Sequence, residues 1–403
     1  MSDRKFQNLF KFYTTELTST PQPLKNLKAI SAFSQCRTPA LGCSFFRCAS
    51  GHEPISQFHS CRHRCCAVCS DKHRFDWIER QKNRLFCVPH FHVIFTLPHE
   101  YLSLWRFNEA LFAHILFTAS QRTLMELMRD HKHHGVLPGF MSTLHTWGRS
   151  LTLHPHIHCL VTAGGANALG QWQDSGQFLL PIRVVKAVYR GKVQALLNEA
   201  FTNGLLVLPP RVTPSSFFNL QRMTYQKEWS VRIEQRYEHA KGVALYLSRY
   251  VKGGPVHPSQ VQPIQNGEVR FRYLDHRDRR IKHQQLTTLS FLRRVLTHVA
   301  PIGLHTVRYY GLYAPAQKAL VPPSIKTIEN GAIKQQAAIL ARKDMILFCK
   351  TCGTRATLWQ RLWPNPKAFS LYKKKSDFRR VQQDVQADIA AQVNQRLSRF
   401  DSG

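Results

Sequence analysis

A run of alternating histidines, His154-Pro155-His156-Ile157-His158, continues as Cys-Leu-Val-Thr-Ala-Gly-Gly to Gly165. In an extended segment successive side chains point to opposite faces, so the three imidazoles share one face and Ile157 takes the other. Imidazole is the commonest metal-ligating side chain and suits several divalent ions. The strand is therefore a candidate metal grip, the alternative being a half-exposed strand that happens to carry histidines. A second pair, His90 and His92, sits among large apolar residues and lacks the small Gly-Gly turn that follows the first. It reads as part of a core sheet, from which His92 can still face the same site.

Tyr246-Leu-Ser-Arg249-Tyr250 has a helix-like pattern, and a spacing of four puts both phenols on one face about one turn apart. Near a metal that polarises a phosphodiester, a phenol can attack phosphorus and form a phosphotyrosine link. Arg249, Lys252 and the Gly253-Gly254 turn would sit beside the phosphates, a basic setting that favours an anionic transition state. A tyrosine pair at this spacing is also compatible with ordinary packing, and it is the histidines that make it a candidate nucleophile.

Seven of the 11 cysteines fall between Cys36 and Cys69. Such crowding in a reducing compartment points to metal before disulfides. Cys66-x-x-Cys69 lets two sulfurs reach one ion from a tight turn, and Cys61 with Cys48 would complete a four-thiolate zinc site. Cys43, His52, His59, His63 and Cys65 are rival ligands. Because the ligands are tied together locally, the site is structural in character and folds a small DNA-binding module. Cys349 and Cys352 form half a zinc site with no second pair downstream, so they are either a turn or a pair that borrows ligands from elsewhere.

These groups belong to a chain of 403 residues with 56 Lys plus Arg against 24 Asp plus Glu, a formal charge of +32. A surplus that large repels itself in compact form unless a polyanion is the partner, and nucleic acid is the first candidate. With 43% hydrophobic and 11% aromatic residues the chain can bury substantial cores, which excludes a disordered tail. No apolar stretch has signal-peptide or membrane-spanning length, so the expectation is a cytoplasmic protein with no membrane partner, nucleoid-associated when bound.

Periodicity supplies the elements that must position the chemistry. One or two helices are expected before residue 35, a buried strand over 88–97, helix over 101–134, a turn and the histidine strand over 143–163, and helix over 180–203. Residues 203–227 read as a loop marked by Pro209, Pro210 and Pro214, followed by strand at 229–233, helix at 240–251, strand at 269–274 and helix at 287–299. Val381, Val385, Ile389, Val393 and Leu397 predict a terminal helix with a docking face. The order of elements predicts an α/β or α+β core. The domains expected are a helical and zinc-binding module over 1–85, a catalytic domain over 86–315, and a basic helical C-terminal region over 316–403.

The order Ser60-Cys-Arg-x-Arg-x-Cys-x-x-Cys69, Val88-Pro-x-Phe-His-Val-Ile-Phe-Thr-Leu-Pro98 and Leu151-Thr-Leu-His-Pro-His-Ile-His-Cys-Leu-Val-Thr-Ala-Gly-Gly165 resembles rolling-circle insertion-sequence transposases. Tyr246-Leu-x-Arg-Tyr250, Phe291-Leu-Arg-Arg294 with His298-Val-x-Pro301, and Arg308-Tyr-Tyr-Gly311 extend the resemblance to roughly residues 30–315. These are endonucleases with a His-hydrophobe-His motif and a tyrosine pair. The resemblance implies an α+β, ferredoxin-like nuclease core in which His156 and His158 hold magnesium or manganese and Tyr246 and Tyr250 are the nucleophiles. It also implies nicking of single-stranded or hairpin element ends, attachment to the new 5′ phosphate, and a 3′ hydroxyl left for the host replication machinery. Arg308 is expected to hold DNA. The sequence departs from the family at Ser50, where relatives have a second Cys, and at Cys65, where they have His, which leaves the zinc ligand set open. A third ligand for the catalytic metal is expected; His154 is geometrically allowed but reads as a spare. Three other readings are a replication initiator or relaxase with the same chemistry, a zinc-dependent DNA-binding regulator without cleavage, and a zinc hydrolase, disfavoured because no Asp or Glu lies near the histidines.

Overall fold

The computed structural model describes residues 5–69, 77, 81, 84–238, 254–264, 266–275, 278–325 and 347–363. Both tyrosines of the pair, Arg249, Lys252 and the helix expected over 381–397 lie outside these residues.

A mixed helix and sheet architecture is built around one large antiparallel sheet. Its strands run in the order β11 (Val307–Gly311), β4 (Leu137–Trp147), β5 (Leu153–Ala166), β3 (His90–Thr96) and β7 (Val231–Ile233), with the short β6 (Trp172–Asp174) paired to β5. The histidine strand β5 is central, flanked by β4 and β3. Residues directly opposite in an antiparallel pair share a face, so the register divides this sheet cleanly. One face carries Phe91, Val93, Phe95, Phe140, Leu144, Ile157, Cys159 and Val161, all buried. It packs against two 21-residue helices, Glu109–Arg129 and Ile182–Thr202. The other face carries His90, His92, His145, His156 and His158.

Gly164 and Gly165 lie inside β5 rather than in a turn after it. Gly164 has φ +130°, and an added Cβ there would overlap the backbone oxygen of Gln173; at Gly165 it would overlap that of Leu137. The pair is small because β6 and β4 approach the strand on both sides.

The stretch expected as an irregular loop contains a helix, Pro214–Gln226. Thr213 and Ser216 cap it reciprocally and Pro214 stands in its first turn, where a missing N–H costs nothing. Pro214 starts structure there instead of interrupting it.

A second hydrophobic core joins parts of the chain that the sequence separates. Phe6, Phe10 and Phe33 from α1 (Lys5–Phe12) and α3 (Leu24–Gln35) pack with Val269 and Phe271 of β9 (Glu268–Leu274) and with Phe291, Leu292 and Val295 of the helix Thr288–Thr297. Residues 256–299 therefore belong with the N-terminal helices and not with the large sheet. Lys25 ties the two bodies together, pairing with Glu109 and donating to the Val299 carbonyl at 2.9 Å. The C-terminal region expected as a separate unit also departs from that division. Strands β12 (Leu347–Phe348) and β13 (Arg355–Leu362) complete a four-stranded sheet with β1 (Cys43–Cys48) and β2 (Ile55–Phe58), in the order β12-β13-β1-β2.

Candidate functional site

On the large sheet, strand pairing does the positioning. His156 and His158 project from alternate positions of β5, and His145 of β4 lies opposite His156. Their ligand nitrogens all lie within 4.8 Å of one another, and the three side chains are buried. His156 donates from Nδ1 to the carbonyl of His154 at 2.5 Å, which leaves its Nε2 free to face His158 Nε2 at 3.0 Å. Two neighbouring ligands of an octahedral divalent ion lie about 3 Å apart, so this pair has the spacing one shared ion requires.

His158 turns its other nitrogen, Nδ1, to Nε2 of His92 at 2.8 Å, and the two rings stack. A ligating imidazole commonly uses its second nitrogen in this way, to fix tautomer and ring orientation. Burial pushes His156 down to about 3, His92 to about 4, and His145 and His158 well below the ordinary histidine range. The imidazoles are therefore neutral near pH 7, the form that ligates a metal.

His145 is a site residue that local reading misses. Strands folding back around Gly148 and Leu151 set His145 opposite His156, and Gly148 and Thr152 are hydrogen-bonded across that turn. His154, considered as a spare ligand, is exposed and serves the site through its backbone carbonyl. His90 belongs to the core sheet, hydrogen-bonded to the Tyr313 hydroxyl at 2.7 Å.

The cysteine-rich turn lies against the same end of β4. Arg64 donates to the Leu144 carbonyl at 3.1 Å, and its guanidinium lies over the Trp147 ring, which in turn stacks on His145. Two residues on, Cys66 enters a cluster with Cys36, Cys61 and Cys69 whose sulfurs all lie within 4.8 Å of one another. Cys36 and Cys69 are 3.2 Å apart and Cys61 and Cys69 3.6 Å, close to the edge of about 3.7 Å in a tetrahedron of thiolates around zinc. Hydrogen bonding with Cys36, then with the other two sulfurs, and then burial push the Cys66 thiol far up. Four thiols this crowded ionise together only when a cation neutralises them, and the donor set fits zinc.

Cys48 is not part of this cluster. The geometry replaces it with Cys36, which closes helix α3 and so reaches the turn from the helix side. Cys48 ends β1, where strand pairing carries it toward the C-terminal hairpin: its sulfur lies 3.4 Å from that of Cys352. No short spacing marks Cys36 as a ligand, because its partners begin 25 positions later.

Arg308, expected to hold DNA, lies on the face of the sheet opposite the histidines. It stands opposite Ser142 on the helix-packed side of the sheet, with its guanidinium over the Phe117 ring at 4.3 Å. Its neighbour Tyr309 takes the histidine side and donates to Gln81 Oε1 at 2.9 Å. The residues flanking the tyrosine segment lie beside β3 and against the cysteine-rich turn. Glu234 and Tyr237 pair with the backbone of His92 and His90, and Gly254 rests on the backbone of Arg64 and Cys65. No helix among the described residues is long and apolar enough to cross a membrane.

Residues 139–319 match the family model described as "Putative transposase", and residues 6–97 match the model described as "Transposase zinc-binding domain", of the IS91 type. The chain is 34% identical to the "Putative transposase y4qJ" of Sinorhizobium fredii over 76% of its length and 78% of that protein's. It is 27% identical to the "Transposase for insertion sequence element IS801" of Pseudomonas savastanoi pv. phaseolicola over 73% of its length and 77% of that protein's. No solved structure gives a significant match. The chain belongs to the insertion-sequence transposases that carry an IS91-type zinc-binding domain.

Proposed function

We propose that the protein is a metal-dependent tyrosine DNA nickase and strand transferase that moves its element by rolling-circle transposition. The observation that carries this reading is the convergence of His145, His156 and His158, with two Nε2 atoms 3.0 Å apart and no carboxylate in the group. The order β7-β3-β5-β4 and the two helices on one face support a ferredoxin-like core.

In this reading the three imidazoles hold magnesium or manganese. When bound, the ion polarises the scissile phosphodiester and offsets charge on its oxygens. The hydroxyl of Tyr246 or Tyr250 loses its proton and attacks phosphorus. The bond from phosphorus to the 3′ oxygen breaks, so the protein carries the 5′ phosphate and the departing strand ends in a 3′ hydroxyl. Attack by a 3′ hydroxyl on the phosphotyrosine reverses the exchange, and a second tyrosine permits a second transfer before the first is released. Arg249 and Lys252 lie beside the tyrosines in sequence and supply charge to the phosphates, while the excess of Lys and Arg over the whole chain favours DNA as substrate.

The test is incubation of the full chain with a labelled single-stranded oligonucleotide bearing an element end, with manganese, followed by a denaturing gel. A covalent protein-DNA adduct is expected, and it disappears when Tyr246→Phe and Tyr250→Phe are combined. An adduct that survives the double substitution sinks the tyrosine mechanism. Tight, salt-sensitive binding with no cleavage at any metal concentration would instead identify a DNA-binding regulator.

A further inference from the structure

Among the described residues, the sheet β12-β13-β1-β2 has a small buried cluster of its own. Its buried cluster consists of Cys43 and Phe45, backed by Phe58 and Leu362, and five of the eight residues of β13 are exposed. Pairing two segments separated by about 300 positions carries the entropy of closing that loop. Small units of this kind are commonly stapled by a metal or a disulfide.

At one end of the sheet, four potential ligands meet. The sulfurs of Cys48, Cys349 and Cys352 and a ring nitrogen of His52 all lie within 4.8 Å of one another. Cys48 Sγ is 3.4 Å from Cys352 Sγ and 3.6 Å from His52 Nδ1. The C-terminal pair is arranged as a tight turn: Gly353, at φ +68°, donates to the Cys349 carbonyl at 2.9 Å, and Cys349 donates to the Thr354 carbonyl at 2.8 Å. The left-handed conformation suits glycine and lets the two sulfurs of the Cys-x-x-Cys face one point. Hydrogen-bond donors surround the sulfurs. The Thr354 hydroxyl is 2.9 Å from Cys352 Sγ and 3.2 Å from Cys48 Sγ, and the Ser50 N–H donates to Cys48 Sγ at 3.4 Å. Donors in these places disperse the charge of metal-bound thiolates.

We propose that Cys48, His52, Cys349 and Cys352 form a second structural zinc site, which clasps the β12–β13 hairpin onto the N-terminal strand β1. Three thiolates and one imidazole in a closed group of four suit tetrahedral zinc with no open position for chemistry. The site lies partly outside residues 6–97, the span matched by the zinc-binding domain. The ion joins the first part of the chain to residues 347–362, so the N-terminal sheet is completed only when the C-terminal hairpin is present.

Cobalt(II) substitution of the purified full-length chain tests this, because only thiolate-bound cobalt gives the strong sulfur-to-cobalt charge-transfer band. The histidine cluster is silent in that band. Two thiolate-bound ions per chain are expected, falling to one in the Cys349→Ser, Cys352→Ser double variant. His52→Cys keeps two ions and shifts the visible bands toward the four-thiolate pattern, a readout that does not depend on tolerating a lost ligand. One thiolate-bound ion in the unaltered chain, or bands unmoved by His52→Cys, overturns the proposal. So does a thiol titration of the chelated, unfolded and unreduced chain that finds two fewer than its 11 cysteines, which would make the clasp a disulfide.

Discussion

The histidine cluster, proposed above to hold the catalytic ion, and the four-cysteine cluster of the zinc-binding domain stand in opposite relations to the fold. His145, His156 and His158 ride on adjacent strands of a sheet packed on two long helices, and their separation is set by the register of β4 and β5. Remove an ion from them and the sheet still holds them together. Cys61 and Cys66 stand in an irregular segment, Cys69 where a helix begins and Cys36 where α3 ends, so the four sulfurs within 4.8 Å of one another come from separate pieces of chain and not from one sheet register. In this reading one cluster is positioned by the fold, and the other helps to position it.

The contrast breaks most sharply under chelation. A structural zinc site contributes on the order of 10 kcal/mol of folding free energy, comparable to the whole stability of a small domain. Stripping zinc, or substituting Cys66→Ser, is expected to expose amides in residues 5–69 to rapid hydrogen exchange. The packed neighbours at 256–299, which share the second core, follow them. Amides of β3, β4 and β5 stay protected. Exchange followed by mass spectrometry reads both regions in one sample, and uniform loss of protection across them would show that the two clusters do not differ in kind.

The converse change is smaller and acts on chemistry. His158→Asn leaves a packed sheet and costs about 1–2 kcal/mol of stability, the ordinary effect of altering one buried polar group. Covalent adduct formation with manganese is expected to fall on the order of 10³-fold, since a ligand to the ion that polarises the phosphodiester is lost. Thiolate-bound zinc stays unchanged. A variant that unfolds and sheds zinc before it loses cleavage would place His158 among the groups that build the fold.

The same division governs what could be read from the chain. The strand over 90–96, the long helices and the shared face of His156 and His158 follow from period-two and helical patterns that any short window contains. His145 requires knowing that β4 folds back on β5, and Arg308 requires knowing which side of β11 faces the helices. The exchange of Cys48 for Cys36 is harder still, because two of the three partners of Cys48 lie about 300 positions away and those of Cys36 are reached through a helix end. Spacing within a motif reports local geometry, and ligand sets assembled from distant segments leave no such mark. Pro214 misled for a different reason: proline ends helices but also begins them, and only the Thr213 cap distinguishes the cases.

His92 tests the comparison at its finest grain, because it touches the ligand and not the proposed ion. Its Nε2 meets His158 Nδ1 at 2.8 Å, in a buried place where a change of tautomer at His158 would turn the ligating lone pair into an N–H. Loss of such a partner typically weakens metal binding by about 10–100-fold. His92→Phe keeps the ring and its stacking on His158 while removing the acceptor. The manganese concentration for half-maximal cleavage is expected to rise by about that factor, while the rate at saturating manganese stays near that of the unaltered chain. His92→Gln, which retains an acceptor, recovers part of the affinity. Purely structural damage would lower the saturating rate and leave the metal dependence where it was. That outcome would mean that backbone register alone orients His158, and that the sheet positions this cluster without help from a second ring.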